Sequence, residues 1–197
     1  MIQMTEFYKM EIRVDTKNVT VATEWLAVIS NLAFTFLYIQ QNEAAFVFGI
    51  LGPMLIAILS WKRKLFADVG LQMVYVLLTL WGMTYLESEW EIRPISNFQH
   101  LVGIISCLSF GTLLGFVLKK KSTAELPIAD SLITAFSIWA TALMMLGCRE
   151  NWLYFMVIDL ACIFLFWNRN LRLLSGLYLV YLILAFEGYF QWGWIAN

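Results

Sequence analysis

The chain has 197 residues, 61% of them hydrophobic and 16% aromatic, with a mean hydropathy of +0.73. No soluble domain of this size needs so much apolar surface, so the composition points to an integral membrane protein. A net charge of −1 with 14% charged residues excludes a basic surface for nucleic acid, and three scattered cysteines (Cys107, Cys148, Cys162) without CxxC spacing argue against a disulfide framework or a metal site.

In chain order, residues 1–22 are polar and mixed in charge. They lack the basic-then-apolar order of a signal peptide, so a retained cytoplasmic N-terminal tail is expected. Seven apolar runs follow, at 23–41, 44–61, 65–86, 100–118, 127–147, 152–167 and 171–194. Each is near the ~20 residues needed to cross a hydrocarbon core, and none alternates as a barrel strand would, so seven membrane helices are predicted. Glu24, Asp68 and Asp130 stand near the starts of spans 1, 3 and 5, where an acid favours the helix dipole. Pro53 is expected to bend span 2. Of the 13 Lys and Arg residues, all but Arg93 and Arg149 fall on the side of the N-terminal tail and loops 2–3, 4–5 and 6–7. The positive-inside rule therefore puts the N-terminus in the cytoplasm and the C-terminus outside.

Spans 3 and 7 repeat one another. Leu65, Gly70, Leu71, Val74, Tyr75, Leu78 and Gly82 recur 106 positions on as Leu171, Gly176, Leu177, Val180, Tyr181, Leu184 and Gly188. Both spans run in the same direction, so a duplicated three-helix unit needs one extra crossing to restore its orientation. The expected plan is 3+1+3: a first bundle at 23–86, a linker helix at 100–118 and a second bundle at 127–194. Parallel bundles of this kind leave a site between them, where rocking gives alternating access.

Asp159 is the residue most out of place. It lies about 10 Å into span 6 at ~1.5 Å per residue, where a carboxylate costs about 2.5–3.5 kcal/mol. Every Lys and Arg sits in a loop or at a span end, so no buried cation is available to pair with it. A protonated acid held by hydroxyls, a water-filled cavity or a transient cation remain as explanations. Trp152, Phe155 and Asp159 follow i, i+3, i+7 spacing and share a helix face, an arrangement that suits a flat cationic heterocycle. Trp152 taken alone could equally anchor the membrane interface. Glu187 on span 7 replaces Trp81 of the first copy and is either a second acid of the site or a rim residue. Gln72, one turn before Tyr75 on span 3, offers an amide to a polar ligand or to a neighbouring helix. Gly70, Gly82, Gly176 and Gly188 read as close-packing points. His100 is the only histidine, and no HExxH, GxSxG or P-loop occurs, so the sequence offers no catalytic residue, cofactor site or metal site.

The stretches Phe66-Ala67-Asp68-Val69-Gly70-Leu71-Gln72 and Glu150-Asn151-Trp152-Leu153-Tyr154-Phe155-Met156-Val157-Ile158-Asp159, with Gly188, Tyr189 and Trp192, resemble the Pnu family of bacterial vitamin transporters. The likeness runs from about Glu24 to Trp192. It implies a seven-helix 3+1+3 fold similar in plan to the SWEET proteins, residence in the bacterial inner membrane, and facilitated import of a small vitamin that an intracellular kinase then traps by phosphorylation. The family's ligand motif, W-x-x-W-x-x-x-(N/D), reads here Trp152, Phe155, Asp159; the second aromatic departs from it. An acid at the last position resembles the thiamine carriers of the family, so thiamine is placed ahead of nicotinamide riboside. A membrane sensor and an intramembrane enzyme are the readings of other classes, and the sequence singles out neither a monomer nor a homo-oligomer.

Overall fold

The computed structural model describes the backbone of residues 2–62, 66–85, 92–121, 126–168 and 172–195, with side chains over 21–62, 68–84, 92–120, 126–168, 172 and 175–192. Its helices are α1 (Ile2–Ile39), α2 (Ala44–Lys62), α3 (Phe66–Tyr85), α4 (Asn97–Lys121), α5 (Pro127–Met145), α6 (Asn151–Asn168) and α7 (Arg172–Ile195), with no strand among the described residues. Each expected span falls on one of these helices. Five segments, Val21–Ile39, Ala44–Lys62, Asn97–Lys120, Pro127–Met145 and Asn151–Asn168, are long and apolar enough to cross a membrane. The chain is an all-helical integral membrane protein. Large apolar side chains such as Leu77, Leu113, Val157 and Phe164 are exposed on the single chain, as a lipid-facing surface requires.

One expectation changes here. Residues 2–20 are helical and continuous with the apolar span Val21–Ile39, so Glu24 lies well inside α1 rather than at its N-terminus. The side chains of Lys9, Arg13, Lys17, Arg63, Lys64, Lys121 and Arg169, on which the orientation rests, lie outside the described residues.

The chain divides into two compact units, Met1–Thr79 and Leu80–Asn197. The division falls within α3, because the ends of that helix have different partners: the Thr79 hydroxyl reaches α2, whereas Gly82 lies against Met145 of α5. Within the first unit α1 packs on α2; within the second, α4 packs on α5, α5 on α6, and α6 on α7.

The α1–α2 turn of the first unit and the α5–α6 turn of the second share five backbone hydrogen bonds. After α1, Gln40, Gln41 and Asn42 donate their N–H groups to Phe36, Tyr38 and Leu37, and Ala45 and Phe46 donate to Asn42 and Glu43. After α5, Leu146, Gly147 and Cys148 donate to Ala142, Met144 and Leu143, and Asn151 and Trp152 donate to Cys148 and Arg149. Every donor and acceptor is displaced by the same 106 positions that separate the repeated segments of spans 3 and 7. Both turns close with a left-handed residue, Gln41 at φ 54° and Gly147 at φ 71°, in the Schellman arrangement.

Helix α2 continues through Pro53, which cannot donate to the carbonyl four residues back, Gly49. In a membrane that carbonyl needs another donor. The Thr79 hydroxyl supplies it, at 3.3 Å from Gly49 O and 2.9 Å from its own Tyr75 O. In the second unit the positions equivalent to Pro53 and Thr79 are Asp159 and Ala185. The proline and its rescuing hydroxyl are absent there together.

Helix α4 buries one narrow stripe, Gly103, Cys107, Gly111 and Gly115, against α5. A Cβ added at Gly111 would lie 2.9 Å from Leu132 Cα, and at Gly115 2.6 Å from Ile128 Cα, so the two backbones touch. Of the four glycines read as packing points, Gly82 and Gly188 are closely covered, whereas Gly70 and Gly176 face open space among the described residues.

Thr79→Val strands a buried carbonyl and is expected to lower stability by about 1–3 kcal/mol. Pro53→Ala returns an N–H to Gly49 O, so the double variant should lose less than the sum of the singles. Thermal unfolding of the four proteins in detergent checks this; strict additivity would show that the hydroxyl does not serve that carbonyl.

Candidate functional site

The site-bearing helix α6 inherits its register from the α5–α6 turn. Besides the backbone bonds, Asn151 Nδ2 donates to Cys148 O at 2.6 Å, and Arg93 N–H donates to Gly147 O at 3.0 Å. Burial and the Glu150 carboxylate push the Cys148 thiol up to about 11 against a smaller opposing effect of Arg93, so it stays neutral at physiological pH.

One turn on, Trp152 is fully buried. Its ring meets Trp192 edge-on at 5.5 Å and Phe155 at 6.3 Å. Gly188 of α7 lies on the same indole: a Cβ there would stand 2.6 Å from Trp152 Cε2, so the missing side chain lets the α7 backbone cover the ring. Arg149 fastens the same stretch of α7, donating from Nε to Tyr189 O at 2.9 Å with its guanidinium 4.0 Å over the Tyr189 ring. The indole Nε1 is buried and has no acceptor among the described residues. A buried donor left this way is costly and marks a place for a polar partner.

Asp159, two turns further along the same face, is only 5% exposed. No Lys or Arg pairs with it among the described residues. It lies within electrostatic reach of Tyr181 of α7 and of Cys162. Tyr181 packs edge-on against Tyr178 at 6.0 Å, and Tyr178 hydrogen-bonds to Cys162 and stacks on Phe166 at 5.3 Å. The carboxylate thus has Trp152 and Phe155 on one side along the helix and tyrosines on the other.

The volumes that build this face are the reverse of those in the first unit. There α1 supplies the bulk, with Phe34 and Asn31 seated on Gly49 and Gly52 of α2. At the equivalent places α5 carries Ala140 and Ser137, and α6 carries Phe155 and Ile158; Phe155 packs on the cluster formed by Ala140, Ile158 and Cys162.

The structure therefore brings Trp152, Phe155 and Asp159 together. It adds Tyr181, which the sequence reading passed over although the repeat equates it with Tyr75. Gln72 and Tyr75 lie in the first unit. Gln72 is buried and donates from Nε2 to Asp68 Oδ1 at 3.2 Å, while the Ser60 hydroxyl donates to Asp68 Oδ2. Asp68 thus serves two side-chain donors in addition to standing in the first turn of α3. Glu187 is exposed on α7 and is not part of the Trp152–Asp159 cluster. His100 Nδ1 lies 2.8 Å from the Tyr154 hydroxyl, tying α4 to α6.

A family model described as nicotinamide mononucleotide transporter matches residues 21–193. The chain belongs to that family, the Pnu family of vitamin transporters. A curated relative, the nicotinamide riboside transporter PnuC of Neisseria mucosa, is 26% identical over 190 residues, covering 85% of this chain and 72% of the relative. The crystal structure of the vitamin B3 transporter PnuC superposes with a TM-score of 0.72 at 22% identity, covering 96% of this chain and 88% of the other. That likeness speaks to the fold, and the family's named members are transporters rather than enzymes.

Gly188→Ala should push the Trp152 indole off α7, shift the tryptophan emission and weaken ligand binding about tenfold, equivalent to ~1.4 kcal/mol. Gly176→Ala, which meets open space, should do neither. Fluorescence spectra and ligand titrations of the two purified variants compare them; identical behaviour would remove Gly188 from the support of the site.

Proposed function

We propose that the chain is a membrane carrier for nicotinamide riboside, working by facilitated diffusion. The observation that carries this reading is the buried carboxyl group of Asp159 on an aromatic face, with no Lys or Arg paired to it among the described residues, in a chain whose named relatives carry that vitamin. The pyridinium ring of the riboside is a flat cation. Asp159 supplies its counter-charge, and Trp152, Phe155 and Tyr181 supply π-faces, each cation–π contact contributing about 0.5–2 kcal/mol.

Thiamine, placed first from the acid at position 159, becomes the second reading. Its thiazolium would satisfy Asp159 equally well, so the carboxylate does not choose between the two. The names of the relatives favour the riboside. So does the orphaned indole N–H of Trp152, a donor for which ribose hydroxyl oxygens are natural acceptors. Gln72 and Tyr75 are carried as further ligand residues; exposed Glu187 has no part in the reading.

The matched turns of the two units support a 3+1+3 repeat. The distribution of Lys and Arg supports a cytoplasmic N-terminus in a bacterial inner membrane. Trapping by an intracellular vitamin kinase follows from the family resemblance.

The test is uptake of labelled nicotinamide riboside into proteoliposomes without an ion gradient. Wild type should equilibrate the riboside across the membrane. Asp159→Leu should lose at least about 90% of the initial rate, the effect of removing an unreplaced counter-charge worth more than ~1.4 kcal/mol. Uptake of thiamine but not of the riboside would reverse the order of the two readings. Undiminished riboside uptake by Asp159→Leu would remove the carboxylate from the mechanism.

A further inference from the structure

The face of α6 that carries Asp159 does not end with it. The i, i+3, i+7 spacing of Trp152, Phe155 and Asp159 is taken up again by Asp159, Cys162 and Phe166. Cys162 is fully buried and hydrogen-bonded to Tyr178 of α7, and Phe166 stacks on Tyr178 with ring centroids 5.3 Å apart. From α5, Ile133 packs against the cluster of Ala140, Ile158 and Cys162. Asp130 precedes Ile133 by three residues and shares its side of α5. Cys162 lies within electrostatic reach of both carboxyl groups, Asp159 and Asp130.

Depth separates the two acids. Both helices leave the α5–α6 turn, and at ~1.5 Å per residue Asp159 lies about 12 Å from Asn151 and Asp130 about 22 Å from Met145. They therefore stand about 10 Å apart along the bundle. The deeper level repeats the chemistry of the first, a carboxyl group beside aromatic rings. The first unit has no such level. There the place of Asp130 is taken by Glu24, but those of Phe166 and Tyr178 are Ser60 and Gln72, which form a polar trio with Asp68. An acid in the first turn of a helix is by itself only a dipole partner. Asp130 also reaches an aromatic stripe that leads from Asp159, a buried acid that accepts no hydrogen bond among the described residues.

A single buried acid that holds a cation tightly also releases it slowly, and passage beyond such a site is eased by a second, weaker one within reach. We propose that Asp130, with the Phe166–Tyr178 ring pair, is a second subsite for the flat cation, occupied as the ligand leaves Asp159. It leads to the end of the unit where α5 begins and α6 ends, the cytoplasmic end in the orientation proposed above. The inference rests on the reading of the chain as a carrier of a pyridinium and extends it from where the cation binds to how it departs.

A stepping site alters the barrier to exchange and not the bound state at Asp159, so its loss slows transport without weakening the main site. The experiment pairs two readouts on the full chain: initial uptake of labelled nicotinamide riboside into proteoliposomes, and its dissociation constant from tryptophan fluorescence of the purified protein. Asp130→Asn should slow uptake about tenfold, with the dissociation constant within about twofold of wild type. Asp130→Glu keeps the charge and should recover most of the rate. Phe166→Leu removes one face of the ring pair and should slow uptake about threefold at unchanged affinity; it decides the matter if Asp130→Asn does not fold. A purely structural role for Asp130 would lower the unfolding temperature of Asp130→Asn and leave its uptake rate at the wild-type value, which would overturn the inference. So would a loss of rate matched by an equal loss of affinity, a rate that Asp130→Glu does not recover, or an unchanged rate in Phe166→Leu. Wild type that neither binds nor carries the riboside would instead overturn the carrier reading, and this inference with it.

Discussion

The account depends on one carboxyl group, Asp159, to which no Lys or Arg pairs among the described residues. Asp159 sits about 12 Å along α6 from Asn151, at ~1.5 Å per residue, and no cation reaches it among the described residues. Insertion of such a group costs about 2.5–3.5 kcal/mol, so the surrounding structure has to hold it in place. It does so with local devices. The α5–α6 turn sets the register of α6, Gly188 lets α7 lie on Trp152, and Arg149 ties down the Tyr189 carbonyl. Small residues on α5 leave room for the bulky face that α6 presents. Each device keeps an aromatic surface next to the carboxyl group, and none of them brings a cation to it.

The two units use one backbone design for different chemistry. The α1–α2 and α5–α6 turns share five backbone hydrogen bonds at a constant offset, yet position 53 is a proline and position 159 an acid. Pro53 frees the Gly49 carbonyl and Thr79 answers it; Asp159 places a buried carboxyl group there, and Ala185 stands where the threonine would be. The first unit has its polar trio where the second stacks Phe166 on Tyr178. Each exchange is compensated within its own unit.

Much of the fold was legible because a membrane makes hydropathy decisive: helices must satisfy their own backbone, so seven apolar runs translate into seven helices. The Trp152–Phe155–Asp159 face was legible for a similar reason, since helical spacing alone puts those residues on one side. What sequence reading missed depends on which helix faces which. Gly70 and Gly176 match across the repeat but face open space, while Gly103, Gly111 and Gly115, spaced to form a continuous stripe with Cys107, carry the α4–α5 contact. Glu24 looked like a residue near a helix start only because the preceding polar segment hid the beginning of α1. Tyr181 could have been found by applying the repeat to Tyr75. The order of thiamine and riboside could not be read from an acid that serves either cation.

The most direct measurement is intrinsic tryptophan fluorescence of the purified protein, titrated in parallel with nicotinamide riboside and with thiamine. Trp152 and Trp192 flank the proposed ligand face, so a bound pyridinium should quench them. The account predicts saturable quenching by the riboside at lower concentration than by thiamine. Saturation by thiamine alone would contradict it.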